Sequence, residues 1–116
     1  MHATEIEGRS PSELDAVFGA LSHGVRRSLL ARLGEGPATI GELAAPYAMS
    51  LPAVSKHVRV LERAGLVARS VEGRVHRCAL DARPLADAQA WLDRYRVFWS
   101  GSLDSLAAFV ESEGES

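Results

Sequence analysis

The chain has 116 residues, 47% of them apolar and 24% charged, the proportions of one soluble globular domain and not of a disordered segment. Its single cysteine, Cys78, excludes a disulfide framework and any multi-cysteine metal site, and apolar runs broken by Arg, Asp and Glu exclude a membrane span and, at the amino end, a signal peptide. The formal net charge of −2 is unevenly spread: 50–77 carries six basic residues against Glu62 and Glu72, whereas both ends are acidic, which marks the middle for a polyanion.

Ser10, Pro11 and Glu13 supply a serine cap, a proline at the first helical position and a glutamate three residues after the cap. They open a helix with Leu14, Val17, Phe18 and Leu21 on one face. Ser22 is placed to cap a second helix, carried by Val25, Leu29, Leu30 and Leu33 and stopped by Gly34-Glu35-Gly36-Pro37. Thr39 and Glu42 form another capping-box pattern, opening a short third helix limited by Pro46. Ser50 caps a fourth, with Pro52 in its first turn, an apolar face of Leu51, Val54, Val58 and Leu61, and Gly65 at its end. Alternating runs at 66–71 and 74–80, joined by Glu72-Gly73, predict a hairpin. A long helix is predicted over 85–110, because Leu85, Ala88, Leu92, Tyr95, Trp99, Leu103, Leu106 and Val110 recur at spacings of three and four. Ser100-Gly101-Ser102 is its expected weak point. The domain should span 13–111, between tails at 1–12 and 112–116. The fold class is therefore mainly α with a two-stranded β wing, in the order ααααββα, with room for a short extra strand before the third helix.

The third and fourth helices, joined by a tight turn at 47–50, make a helix-turn-helix candidate. At about 100° per residue, Val54, Val58 and Leu61 share one side of the fourth helix, and Pro52, Ser55, Lys56, Arg59 and Arg63 gather roughly opposite. A core stripe backed by an almost acid-free outer face suits a reader of the DNA major groove, where phosphates and base edges lie together. Arg69, Arg74, His76 and Arg77 add donors on the wing. A catalytic reading finds no support. Ser55 and His57 point about 200° apart on a helix, and no glycine-rich phosphate loop or metal-ligand cluster appears.

The stretches "TIGELA" at 39–44, "SLPAVSKHVRVLERAGLV" at 50–67 and "GRVHRCAL" at 73–80 resemble the ArsR-type winged-helix transcriptional regulators. So do "LDAVFGALSHGVRRSLLARL" at 14–33 and "WLDRYRVFWSGSLDSLAAFV" at 91–110, which are similar to the family's first two helices and its last. The resemblance implies a homodimeric, cytoplasmic repressor on a palindromic operator, with recognition helix 51–64, wing 66–80 and a C-terminal dimerisation helix. It also sets this chain apart. Where metal-sensing members carry E-L-C-x-C, this chain has Glu42-Leu43-Ala44-Ala45-Pro46, no histidine follows His76, and dithiol sensing needs a second cysteine. No metal and no cofactor are expected.

Lys56 and Arg59, central on the outer face, are the first candidates for DNA contact, with Ser50, Pro52, Ala53 and Ser55 in the turns that approach base edges. His57, at the flank, is placed to reach a phosphate or to pack against the third helix. Arg69, Arg74 and His76 are expected to grip phosphates or the minor groove from the wing, Arg77 to face inward or pair with an acid, and Arg26 and Arg27 to be structural or steering charges. Leu14, Phe18 and Leu21 with Leu92, Tyr95, Trp99, Leu103 and Leu106 are the expected dimer interface, helped by the aromatics Trp91 and Phe98. Cys78 reads as a buried small hydrophobe. The expected partners are double-stranded DNA and a second copy, with room for a small-molecule inducer acting through the first and last helices. The alternatives are a winged-helix module that binds protein, and a ligand-gated regulator holding an apolar molecule among the aromatics.

Overall fold

The computed structural model describes residues 10–115 and orders them as α1 (Pro11–Leu21), α2 (Gly24–Leu33), β1 (Ala38–Thr39), α3 (Ile40–Ala44), α4 (Leu51–Arg63), β2 (Val67–Glu72), β3 (Val75–Leu80), α5 (Arg83–Asp93) and α6 (Arg96–Glu115). Of the tail expected at 1–12, residues 1–9 lie outside the described residues, and Pro11 and Ser12 are already helical. Two helix starts close as reciprocal capping boxes, Ser10 with Glu13 and Thr39 with Glu42. The cap of α2 differs from expectation. His23 has the extended backbone an N-cap requires, and its Nδ1 accepts from the Val25 amide at 3.2 Å. Ser22 instead closes α1, donating its hydroxyl to the Gly19 carbonyl at 2.6 Å.

Gly65, at φ +80°, ends α4 in a Schellman motif: the Leu66 amide reaches the Leu61 carbonyl at 2.9 Å and the Gly65 amide reaches that of Glu62. Leu61 and Leu66 are both fully buried, the apolar contact that accompanies such a cap. The chain then enters the hairpin, whose loop is Gly73-Arg74 and not Glu72-Gly73, because Glu72 pairs with Val75. The left-handed φ of +62° at Gly73, the first loop residue, suits a type II′ connection. β1 adds a third antiparallel strand through Ala38↔Cys78 and Thr39↔Arg77, giving the order β1-β3-β2.

The core joins Val17, Leu29, Leu33, Leu43, Val54, Val58, Leu61 and Leu66 with Cys78. Leu51 does not belong to it and is 55% exposed. As the first residue of α4 it projects past the helix end, since Cβ bonds tilt towards the N-terminus.

The predicted helix over 85–110 is two helices. Shortened turns, Arg94 amide to Trp91 carbonyl and Tyr95 amide to Leu92 carbonyl, separate α5 from α6, and the helix passes through Ser100-Gly101-Ser102 unbroken. α5 stays on the body, burying Pro84 and Ala88 and setting Trp91 edge-on to Phe18 at 5.7 Å. α6 leaves the body with Val97, Phe98, Leu103, Leu106, Phe109 and Val110 exposed, and one straight helix could not follow both courses. It continues through the tail expected at 112–116 as far as Glu115; Ser116 lies outside the described residues. The radius of gyration, 19.2 Å, exceeds the roughly 13 Å of a compact chain this long. Among the described residues no helix is long and apolar enough to cross a membrane.

Candidate nucleic-acid interface

α4 packs against α1, α2, α3 and β2, which leaves one long face outward. On that face Pro52, Lys56, Arg59 and Arg63 follow at spacings of four, three and four, and all are exposed. None of the ion pairs among the described residues involves Lys56, Arg59, Arg63 or Arg74. Among the described residues the row therefore presents positive charge without an internal counter-ion. Ser50 caps the helix by accepting from the Ala53 amide at 3.3 Å. Ala53 and Ser55 are half-buried beside it.

His57 finds partners at the start of α2. Its Nδ1 faces Arg26 Nη1 at 3.2 Å, and its ring lies 4.5 Å from that of His23. A guanidinium only donates, so Nδ1 is the acceptor and His57 is neutral in this contact. Burial first, then the positive surroundings of His23, Arg26 and Lys56, hold His57 below its ordinary range. Arg26 also donates to the carbonyls of Ala20 at 2.8 Å and Gly19 at 3.1 Å, and Arg27 to that of Leu21 at 2.7 Å. Both arginines thus close the C-terminal end of α1, the structural role expected of them.

On the wing Arg74 stands exposed at the turn as foreseen, and Arg77 on β3 is exposed as well. Arg69 differs: Nη2 donates to Glu62 Oε1 at 2.6 Å, Nη1 donates to His76 Nδ1 at 3.1 Å, and Nε is buried without a partner. These contacts tie β2 and β3 to the last turn of α4, so Arg69 and His76 hold the wing rather than offering spare donors. The signal was Glu62, the one acid of α4, and an arginine seven residues on across the Gly65 turn. Cys78 lies across the ladder from Arg69, fully buried, and burial pushes its thiol up.

Between the first turn of α4 and the wing runs a cleft of about 550 Å³. Leu51, Pro52, Val75 and the half-buried Ile40 form its apolar walls, and Arg74, Ser55 and His76 its polar ones. Leu51 and Val75, at 55% and 47% exposure, escaped the sequence reading because apolar residues in amphipathic elements read as core.

Of the expected dimer residues, Leu14, Phe18 and Leu21 are half-buried against the chain's own core, while Leu92, Tyr95, Leu103 and Leu106 are exposed. The backbone of Trp99 lies on α6, but its side chain falls outside the described residues. Trp91, Tyr95 and Phe98 continue as neighbouring rings, 5.1 and 6.2 Å apart.

A family model described as a helix-turn-helix domain matches residues 21–69. The chain is 40% identical over 107 residues to the HTH-type transcriptional regulator Rv2034 of Mycobacterium tuberculosis, covering 92% of this chain and 94% of that protein. It is 29% identical over 79 residues to the transcriptional repressor SdpR of Bacillus subtilis, covering 68% and 88%. The crystal structure of the ArsR family transcriptional regulator RHA00566 superposes with a TM-score of 0.74 at 39% identity, covering 79% of this chain and 95% of the other.

Proposed function

Because the chain belongs to the ArsR family of winged helix-turn-helix transcriptional regulators, we propose that it acts as a homodimeric repressor on a palindromic operator. DNA binding and transcriptional regulation come with the family; the contacts and the assembly are our reading. The observation that carries it is the row of Lys56, Arg59 and Arg63, exposed on the outer face of α4 and without ion-pair partners among the described residues. Ser50, Pro52, Ala53 and Ser55 approach base edges in the major groove, and Lys56, Arg59 and Arg74 neutralise phosphates beside them. His57, Arg69 and His76 act from behind, holding α4 and the wing at their relative angle. Two copies joined through α6 set their α4 helices about 34 Å apart, one turn of the duplex, and occlude a promoter.

The test is binding of the purified protein to its own upstream DNA, or to a duplex selected from a random pool, across a salt series. Affinity should fall by about a thousandfold or more between 50 and 200 mM salt for a site with six or more phosphate contacts. Lys56→Ala with Arg59→Ala should weaken binding and, because each of the two protomers loses two phosphate contacts, flatten the slope of log K against log salt by about 3.6. Binding indifferent to both salt and the paired substitution would overturn this reading and leave the cationic face to an acidic protein surface.

A further inference from the structure

Leu51 occupies a place where a large aliphatic side chain has no structural employment. Val54, Val58 and Leu61 of the same helix are fully buried, whereas Leu51 is 55% exposed at the end of α4 that approaches base edges. A lone exposed leucine would be ordinary. This one shares a cleft with exposed Pro52 and Val75; Arg74 at the wing turn lines the same cleft, and Lys56 follows Pro52 one helical turn on along the exposed face of α4. An apolar patch in the middle of a cationic surface matches one feature of the major groove. Phosphates flank it, and the C5-methyl of thymine is the apolar group that its base edges display.

We infer that Leu51 is a specificity-determining residue, packing against the methyl group of one thymine in each half of the operator, with Pro52 beside it. The inference rests on the proposed DNA reading and adds a base preference to it. Thymine is selected at that position because only its methyl fills the space between Leu51 and the groove wall. Cytosine, lacking the methyl, leaves the leucine against water.

The experiment uses the full-length protein and a duplex selected from a random pool, with each thymine replaced in turn by deoxyuridine, which keeps the pairing and removes only the methyl. The wild type should lose about fourfold in affinity at one symmetric thymine per half-site, the value of one buried methyl. Leu51→Ala, which removes the contact from both half-sites at once, should bind the thymine duplex more weakly by the square of that factor, roughly sixteenfold, and lose nothing further at that position. Its penalties at every other thymine should match those of the wild type. The melting temperature of the variant should be unchanged, because Leu51 lies outside the core. Two results overturn the leucine assignment alone: salt-sensitive binding by a wild type indifferent to deoxyuridine everywhere, or a Leu51→Ala protein that keeps the wild-type penalty. The wild-type scan needs no variant to give the first. Absence of any salt-sensitive duplex binding removes this inference together with the reading beneath it.

Discussion

Protonation of His57 would break the hydrogen bond it accepts from Arg26 and set a cation among His23, Arg26 and Lys56. In the unfolded chain the group titrates near 6.5, and in the fold it titrates lower. Above the unfolded value both states are neutral and the contact contributes in full. As pH falls through that value the unfolded chain takes up the proton first, so stability declines, and the loss is complete below the folded value. Urea midpoints measured at pH 7.5 and 5.0 should therefore fall further for the wild type than for His57→Gln; equal falls would remove His57 from the account. Nothing near His57 in the sequence announces this contact, because Arg26 lies 31 residues away. Lys56 and Arg59 were legible for the opposite reason. Helical spacing alone turns them away from Val54 and Val58.

Among the elements, α1 depends most on another for its ending. It has no basic residue in its last turn, and Arg26 and Arg27 of α2 fold back to meet the Gly19, Ala20 and Leu21 carbonyls. Arg26→Ala should cost about 2 kcal/mol, since charged donors leave two carbonyls and His57 together. That corresponds to a fall in melting temperature on the order of 8 °C. Arg26→Lys should recover only part of it, because an ammonium cannot copy the fork that reaches Gly19, Ala20 and His57 at once. A melting temperature unchanged in Arg26→Ala would show that the bonds are replaced by water at no cost. The α5–α6 break was illegible at this scale. Leu92, Tyr95 and Trp99 keep three-and-four spacing across it, so the apolar pattern of one helix and of two is the same.

At the scale of the whole molecule, α6 is the feature out of proportion. Twenty residues span about 30 Å, and their Val97, Phe98, Leu103, Leu106, Phe109 and Val110 lie exposed, a larger apolar surface than a monomer ordinarily leaves to water. Pairing with a second copy would cover it. Sedimentation should find the wild type dimeric at micromolar concentration and the Leu103→Asp/Leu106→Asp protein monomeric. The wild-type melting temperature should rise with protein concentration while that of the variant stays constant. A wild type that sediments as a monomer would separate α6 from assembly.

What the sequence determined by itself is what lies within a few residues along the chain. Capping pairs such as Ser10 with Glu13, the Gly65 stop, the alternation of β2 and β3 and the cationic row of α4 are all local signals, and each can be read without knowing what stands opposite. The tertiary structure decided everything that needs a remote partner. It set β1 on β3, engaged Arg69 with Glu62 and His76, gave His57 to Arg26, left Leu51 outside the core and turned α6 away from the body. The physical reason is that periodicity tells which side of an element faces inward. Only packing in three dimensions tells which groups occupy the space there, and therefore which charges stay available for DNA.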